Sequence, residues 1–205
     1  MAIPRPHVIA GGMVGIVIVI LAVLVLRPVL SAISVRDDVA KIRRGHFDEK
    51  QLRQWAARHG GDVWCENGEC HGDVDISNRL LHALHLAPLT RFGADVVIVS
   101  NQPVQSSLIL HDMGSLHRAA GGTTFVEMVY EPDKTRFPVC DWEVRRGPTS
   151  KPPSRRYIVA PQSSPQAINR AFDINVWCLA RIEGCSGPQQ APDIWALPLS
   201  GYATN

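Results

Sequence analysis

Val8 to Leu26 is an unbroken apolar run with no charged residue, rich in Ile, Val and Leu. Its 19 residues, at about 1.5 Å each, cover roughly the thickness of a bilayer hydrocarbon core. Core helices of globular domains keep a polar stripe, and this run has none. The expectation is a single N-terminal transmembrane helix followed by a soluble domain. Pro4, Pro6, Gly11 and Gly12 weaken its start, so regular helix is expected from about Met13. The competing reading is a cleavable signal peptide, with small residues for cleavage at Ala32-Ile33-Ser34. The run exceeds the usual 7–15-residue signal core, however, and only Arg5 and the amino terminus charge the segment before it.

Orientation is contested within the chain. Arg5 precedes the run, whereas Arg27, Arg36, Lys41, Arg43 and Arg44 follow it. Basic residues alone would leave the C-terminal domain in the cytoplasm. The cysteines argue for the opposite, oxidising side, and a periplasmic or extracellular domain is expected. The boundaries are 1–30 for the anchor, 31–47 for a juxtamembrane stalk and 48–205 for the soluble domain.

The first 30 residues hold two arginines and no acid, leaving 19 basic and 19 acidic side chains in the rest. A neutral domain is a poor match for nonspecific nucleic-acid binding. No nucleic acid and no cofactor are expected; the partners are the membrane and an envelope protein.

Local signals give an α+β domain. Asp48 caps a helix ending at Gly60-Gly61, with Leu52, Trp55 and Ala56 on one face. Asn67-Gly68 is a tight hairpin turn between Val63–Glu66 and Glu69–His71. Ser77 opens a short Leu-rich helix. Strand-type residues then fill 94–100, 104–111, 123–130, 139–144 and 156–160. The short connections suggest an antiparallel sheet of about five to seven strands, with helices packed on one face. Ser164-Pro165 opens a last helix expected to run to about Glu183 and stop at Gly184. Ile194, Trp195 and Leu197 of the Pro-rich tail are expected to pack down.

Two disulfides are predicted among the five cysteines. A two-residue loop at Asn67-Gly68 makes Cys65 and Cys70 a directly opposed, non-hydrogen-bonded pair, with Cα atoms about 4.5 Å apart. Within one helix Cys178 and Cys185 would lie about 10.5 Å apart, too far to bridge. A left-handed Gly184 would fold the chain back and let them meet. Cys140 remains as a buried thiol.

Other chemistry is weaker. Cys65, Cys70 and His71 form a Cys-x4-Cys-His pattern, wider than the usual haem-attachment spacing. Cys65, Cys70, His82 and His85 have zinc-type side chains without a compact zinc-module spacing. His111-Asp112-Met113-Gly114-Ser115 gathers triad residues in a segment better suited to a turn. Glu66 and Glu69 flank the hairpin turn, both facing solvent. Arg145, Arg146, Lys151, Arg155 and Arg156 surround a Pro-rich loop, a candidate contact for anionic groups. No motif specifies a reaction. The reading is a membrane-anchored, non-catalytic binding or assembly component of the cell envelope. The alternatives are an envelope enzyme with a dispersed site around His82, His85 and His111, and a cytoplasm-facing domain with a Cys/His metal site.

Overall fold

The computed structural model describes residues 6–43, 46–112, 123–129, 138–143, 154–159, 163–182, 184 and 185. It is α+β: an apolar N-terminal helix, further helices and a sheet.

Helix α1 spans Pro6–Ile42 as 37 continuous residues. It starts earlier than expected because proline is well tolerated in a first helical turn. Pro28 lies within it. Among the described residues it is the one helix long and apolar enough to cross a membrane. Ile16 to Leu24 carry largely exposed apolar side chains. The character changes within a turn: Val29, Ala32, Val35 and Val39 are fully buried. Their spacing of three and four residues makes one stripe, which packs against the sheet. The 31–47 stretch expected to be a stalk is therefore, up to Ile42, part of the domain core. The sequence hid this because its polar residues sit on the other face of the same helix.

Helix α2 (Glu49–His59) is capped at both ends. Asp48 accepts from the Gln51 N–H at 2.7 Å while Gln51 Oε1 accepts from the Asp48 N–H at 2.9 Å. Gly60 closes it in the left-handed conformation at φ 73°. Its buried Leu52, Trp55 and Ala56 face strand β2. At Gly72, a Cβ would come within 2.6 Å of Leu52 Cδ1 and 3.2 Å of the Trp55 ring.

Strands β1 (Asp62–Glu66), β2 (Glu69–Ser77), β3 (Thr90–Val99) and β4 (Gln102–Asp112) form an antiparallel meander. Strands β5 (Thr123–Val129), β6 (Pro138–Glu143) and β7 (Ser154–Val159) extend it to seven, in the order β1-β2-β3-β4-β5-β7-β6. The sheet is not wholly antiparallel, since β5 and β7 run parallel. Short connections exclude a helical crossover between consecutive strands only. Here β6 occupies the path between β5 and β7 and pairs antiparallel on the outer side of β7.

Helix α3 (Arg79–Ala83) follows β2 after Asn78, one residue later than the expected Ser77 cap. Asn78 is buried and works across the loop instead. Its Nδ2 donates to the Pro88 carbonyl at 2.9 Å, and its Oδ1 accepts from the Thr90 N–H at 2.8 Å. Helix α4 starts as expected at Pro165, with Ser164 accepting from the Ala167 N–H, but ends at Phe172 rather than near Glu183. Arg36 holds the break: its Nη1 donates to Asp173 Oδ1 at 3.0 Å and to the Ile174 carbonyl at 3.3 Å. Asn175 then caps a 3₁₀ turn, Val176–Ala180, accepting from the Trp177 N–H. The apolar period continues across 168–182, which is why one long helix was expected.

The described core lies on one face of the sheet. Val74, Phe92, Ala94, Val96, Leu108 and Leu110 meet α1, α2 and the 3₁₀ turn there.

Candidate functional site

Period-two alternation sends the odd-numbered residues of β2 and β3 away from this core. The opposite face carries His71, Asp73 and Asp75 from β2 and Asp95 and Val97 from β3. Register places Asp73 directly across from Asp95, with Asp62 on the other side of Asp73. Asp95 hydrogen-bonds to both Asp73 and Ser107, and Ser107 is itself buried. Burial, then the neighbouring Asp73 charge and the hydrogen bond to it, push the Asp95 carboxyl up to about 6. Burial and the Asp75 charge raise Asp73 as well. Each carboxyl thus disfavours ionisation of the other across the strands. One row further along, Trp64 of β1 stacks on His71 with ring centroids 5.2 Å apart and planes 1° from parallel. Trp64 is half exposed, and His71 Nε2 lies 2.9 Å from Glu69 Oε1. An exposed flat ring beside acidic groups offers a contact surface for a cationic or aromatic partner group.

The second feature is the hairpin. Asn67 and Gly68 have φ 52° and 83°, the left-handed pair that a tight two-residue turn requires. Cys65 and Cys70 stand opposite each other at disulfide distance, Cα to Cα 4.0 Å. Cys65 is exposed, whereas Cys70 is 7% exposed and belongs to the core. Helix α2 crosses beneath and brings two charges to the sulfurs. Arg53 Nη2 donates to Cys65 Sγ at 3.6 Å and also pairs with Glu49 Oε1 at 2.7 Å. Beside Glu49 and Arg53 lies a shallow open cleft of about 560 Å³ that reaches Asn101.

Cys178 and Cys185 also stand at disulfide distance, Cα to Cα 4.9 Å, and both are fully within the core. Gly184 adopts φ 72°, the left-handed turn this approach needs. Cys178 sits in the 3₁₀ turn rather than in a long helix.

The candidate histidines lie toward one end of the sheet, away from Cys65 and Cys70: His111 shares a register row with Arg91 and Ser77. His82 and His85 are exposed on α3 and the turn after it, beyond the Ser77 end of β2. Cys70 is at the other end of that strand, seven residues or roughly 23 Å away. This separation rules out a shared site for Cys65, Cys70, His82 and His85. His111 lies on β4 in register with Arg91. Among the described residues, one set of three metal-type side chains has ligand atoms within 4.8 Å of one another: Glu49, Cys65 and Cys70. Its two sulfurs face each other as a disulfide pair, so they offer no thiolate ligands. Glu66 is exposed, and Glu69 turns partly toward His71.

Met113-Gly114-Ser115, the loop bearing Arg145, Arg146 and Lys151, and the tail with Ile194, Trp195 and Leu197 lie outside the described residues. Cys140 is in register with Tyr157, but its side chain is not among those described. The Asp73–Asp95 pair and the Arg53–Cys65 contact were not foreseen, because both depend on strands and helices meeting across the chain. Compared with protein-family models, characterised proteins and solved structures, the chain matches none.

Proposed function

We propose that this protein is a single-pass, membrane-anchored domain on the oxidising side of its membrane, acting as a non-catalytic binding or assembly component of the cell envelope. The continuity of α1 carries this reading. Leu26, the last residue of the apolar run, and the fully buried Val29 are three residues, about 4.5 Å, apart on one helix. The domain is thereby mounted on the bilayer without a flexible spacer. The same continuity favours a retained anchor over a cleaved signal. Val29 and Ala32 of the core lie on the N-terminal side of any cut after Ser34. The two cysteine pairs at disulfide distance favour an oxidising compartment. The open face bearing Trp64, His71, Asp73 and Asp95 is a surface for a partner, offered at a fixed height above the membrane.

The test is non-reducing peptide mass spectrometry on protein isolated from its own membrane, with free thiols blocked at lysis. Linked peptides for Cys65–Cys70 and Cys178–Cys185, together with an intact peptide spanning 27–36, are the expected outcome. Four blocked thiols at these positions would place the domain in a reducing compartment and overturn the reading.

A further inference from the structure

The two cysteine pairs differ in what surrounds them. Cys178 and Cys185 are 2% and 0% exposed, closed within the core and beyond the reach of an incoming thiol. Cys65 is exposed on edge strand β1, with Cys70 buried behind it. The Cys65 sulfur receives a guanidinium hydrogen bond from Arg53. The carboxylate of Glu49 lies within 4.8 Å of both sulfurs. An open cleft of about 560 Å³ is lined by Glu49 and Arg53, the two residues that lie beside the sulfurs. One accessible, cation-paired sulfur backed by one shielded sulfur is the asymmetry that thiol–disulfide exchange uses.

We propose that Cys65–Cys70 is an exchangeable disulfide that accepts two electrons from a dithiol partner, whereas Cys178–Cys185 is structural. It extends the envelope-domain reading above, but its test in defined buffer does not depend on the compartment. A partner thiolate attacks the sulfur of Cys65, the exposed residue of the pair. The Cys65–Cys70 bond breaks, and its electron pair leaves on Cys70, which takes a proton from water. The second partner thiolate then attacks the partner's own sulfur in the mixed disulfide. Cys65 is released as a thiolate held by Arg53. The partner ends as a disulfide and this protein as the Cys70 thiol and the Cys65 thiolate; one of the partner's two protons replaces the one water gave to Cys70, and the other passes to Glu49 or to water. Arg53 stabilises the reduced product by pairing with the thiolate. Glu49 opposes it by like charge and by engaging Arg53.

The experiment uses the full chain in detergent, equilibrated in glutathione buffers of graded ratio and read by differential alkylation and mass spectrometry. Cys65–Cys70 should reduce and reoxidise at ratios that leave Cys178–Cys185 bonded. Arg53→Gln should raise the reductant needed for half-reduction roughly three- to tenfold, Arg53→Lys should restore most of it, and Glu49→Gln should lower it. In single-cysteine variants, Cys70→Ser should accumulate a glutathione adduct on Cys65, while Cys65→Ser should leave Cys70 unmodified. Retention of Cys178–Cys185 reports that each variant is folded. Reduction of both pairs together, or a half-reduction point unmoved by Arg53→Gln and Glu49→Gln, would overturn the proposal.

Discussion

Asp38 and Asp95 show how one residue type is set to opposite behaviour by its surroundings. Burial alone would raise Asp38, but hydrogen bonds and charge from Lys41 and His59 hold it below the usual carboxylate range. Lys41 Nζ donates at 2.8 Å, His59 Nε2 lies 3.0 Å away and Arg58 Nη1 3.2 Å away, so this carboxylate ties α1 to the end of α2. Asp95 instead faces Asp73, and the charge of His71 offsets that only in part. Its folded value of about 6 exceeds the unfolded one of 3.8. Between those values the folded chain binds more protons than the unfolded chain, so this residue's contribution to stability falls as pH rises from about 4 to 6. Asp95→Asn should flatten that slope and leave the variant about 1 kcal/mol more stable than the parent at pH 7, the full shift being reduced by solvent screening. Urea denaturation at pH 4, 5, 6 and 7 checks this; an unchanged slope would show that Asp95 ionises freely. Each of these acids was visible in the chain, but its partner was not. Asp73 and Asp95 are 22 positions apart and meet only through the β2–β3 register.

Local signals at element scale served well where they were self-contained. The capping box at Asp48 and Gln51, the left-handed Gly60 and the Asn67-Gly68 turn all lie within a few residues of what they control. Elements that depend on distant contacts were less legible. The last helix stops at Phe172, and Arg36, on α1, meets the Asp173 carboxylate and the Ile174 carbonyl just past its end. The parallel β5–β7 pair arises because β6 adds at the outer edge, a choice that strand spacing does not encode. Gly72 is a third example: its place in β2 gives no reason for glycine until α2 lies on it. Gly72→Ala should destabilise the domain by about 1–3 kcal/mol, since fully buried Leu52 has little room to move. Leu52→Val in the same chain should recover part of that loss, seen as a return of the denaturation midpoint. Midpoints that simply add would mean the clash is relieved elsewhere.

At the scale of the whole molecule, α1 has two surroundings: its apolar side chains are largely exposed from Ile16 to Leu26 and enter the protein core from Val29 on. Removing the first half should therefore not leave the remainder indifferent to where the cut falls. A chain starting at Val35 loses Val29 and Ala32 from the core and should be less stable than one starting at Arg27 by about 3 kcal/mol. Equal urea midpoints for the two would show that residues 27–34 add nothing to the domain. The apolar run, the caps at Asp48, Gly60 and Ser164 and the hairpin turn were determined by the sequence alone, as was the register that sets Cys65 opposite Cys70. Each rests on hydropathy or on backbone preferences that act over one or two turns of chain. Only the tertiary structure decided that the supposed stalk is core, that Asp73 faces Asp95 and that Arg53 reaches Cys65. Those outcomes depend on which faces meet when α1 and α2 settle on the sheet. Packing of that kind joins residues far apart in the chain and leaves no local pattern to read.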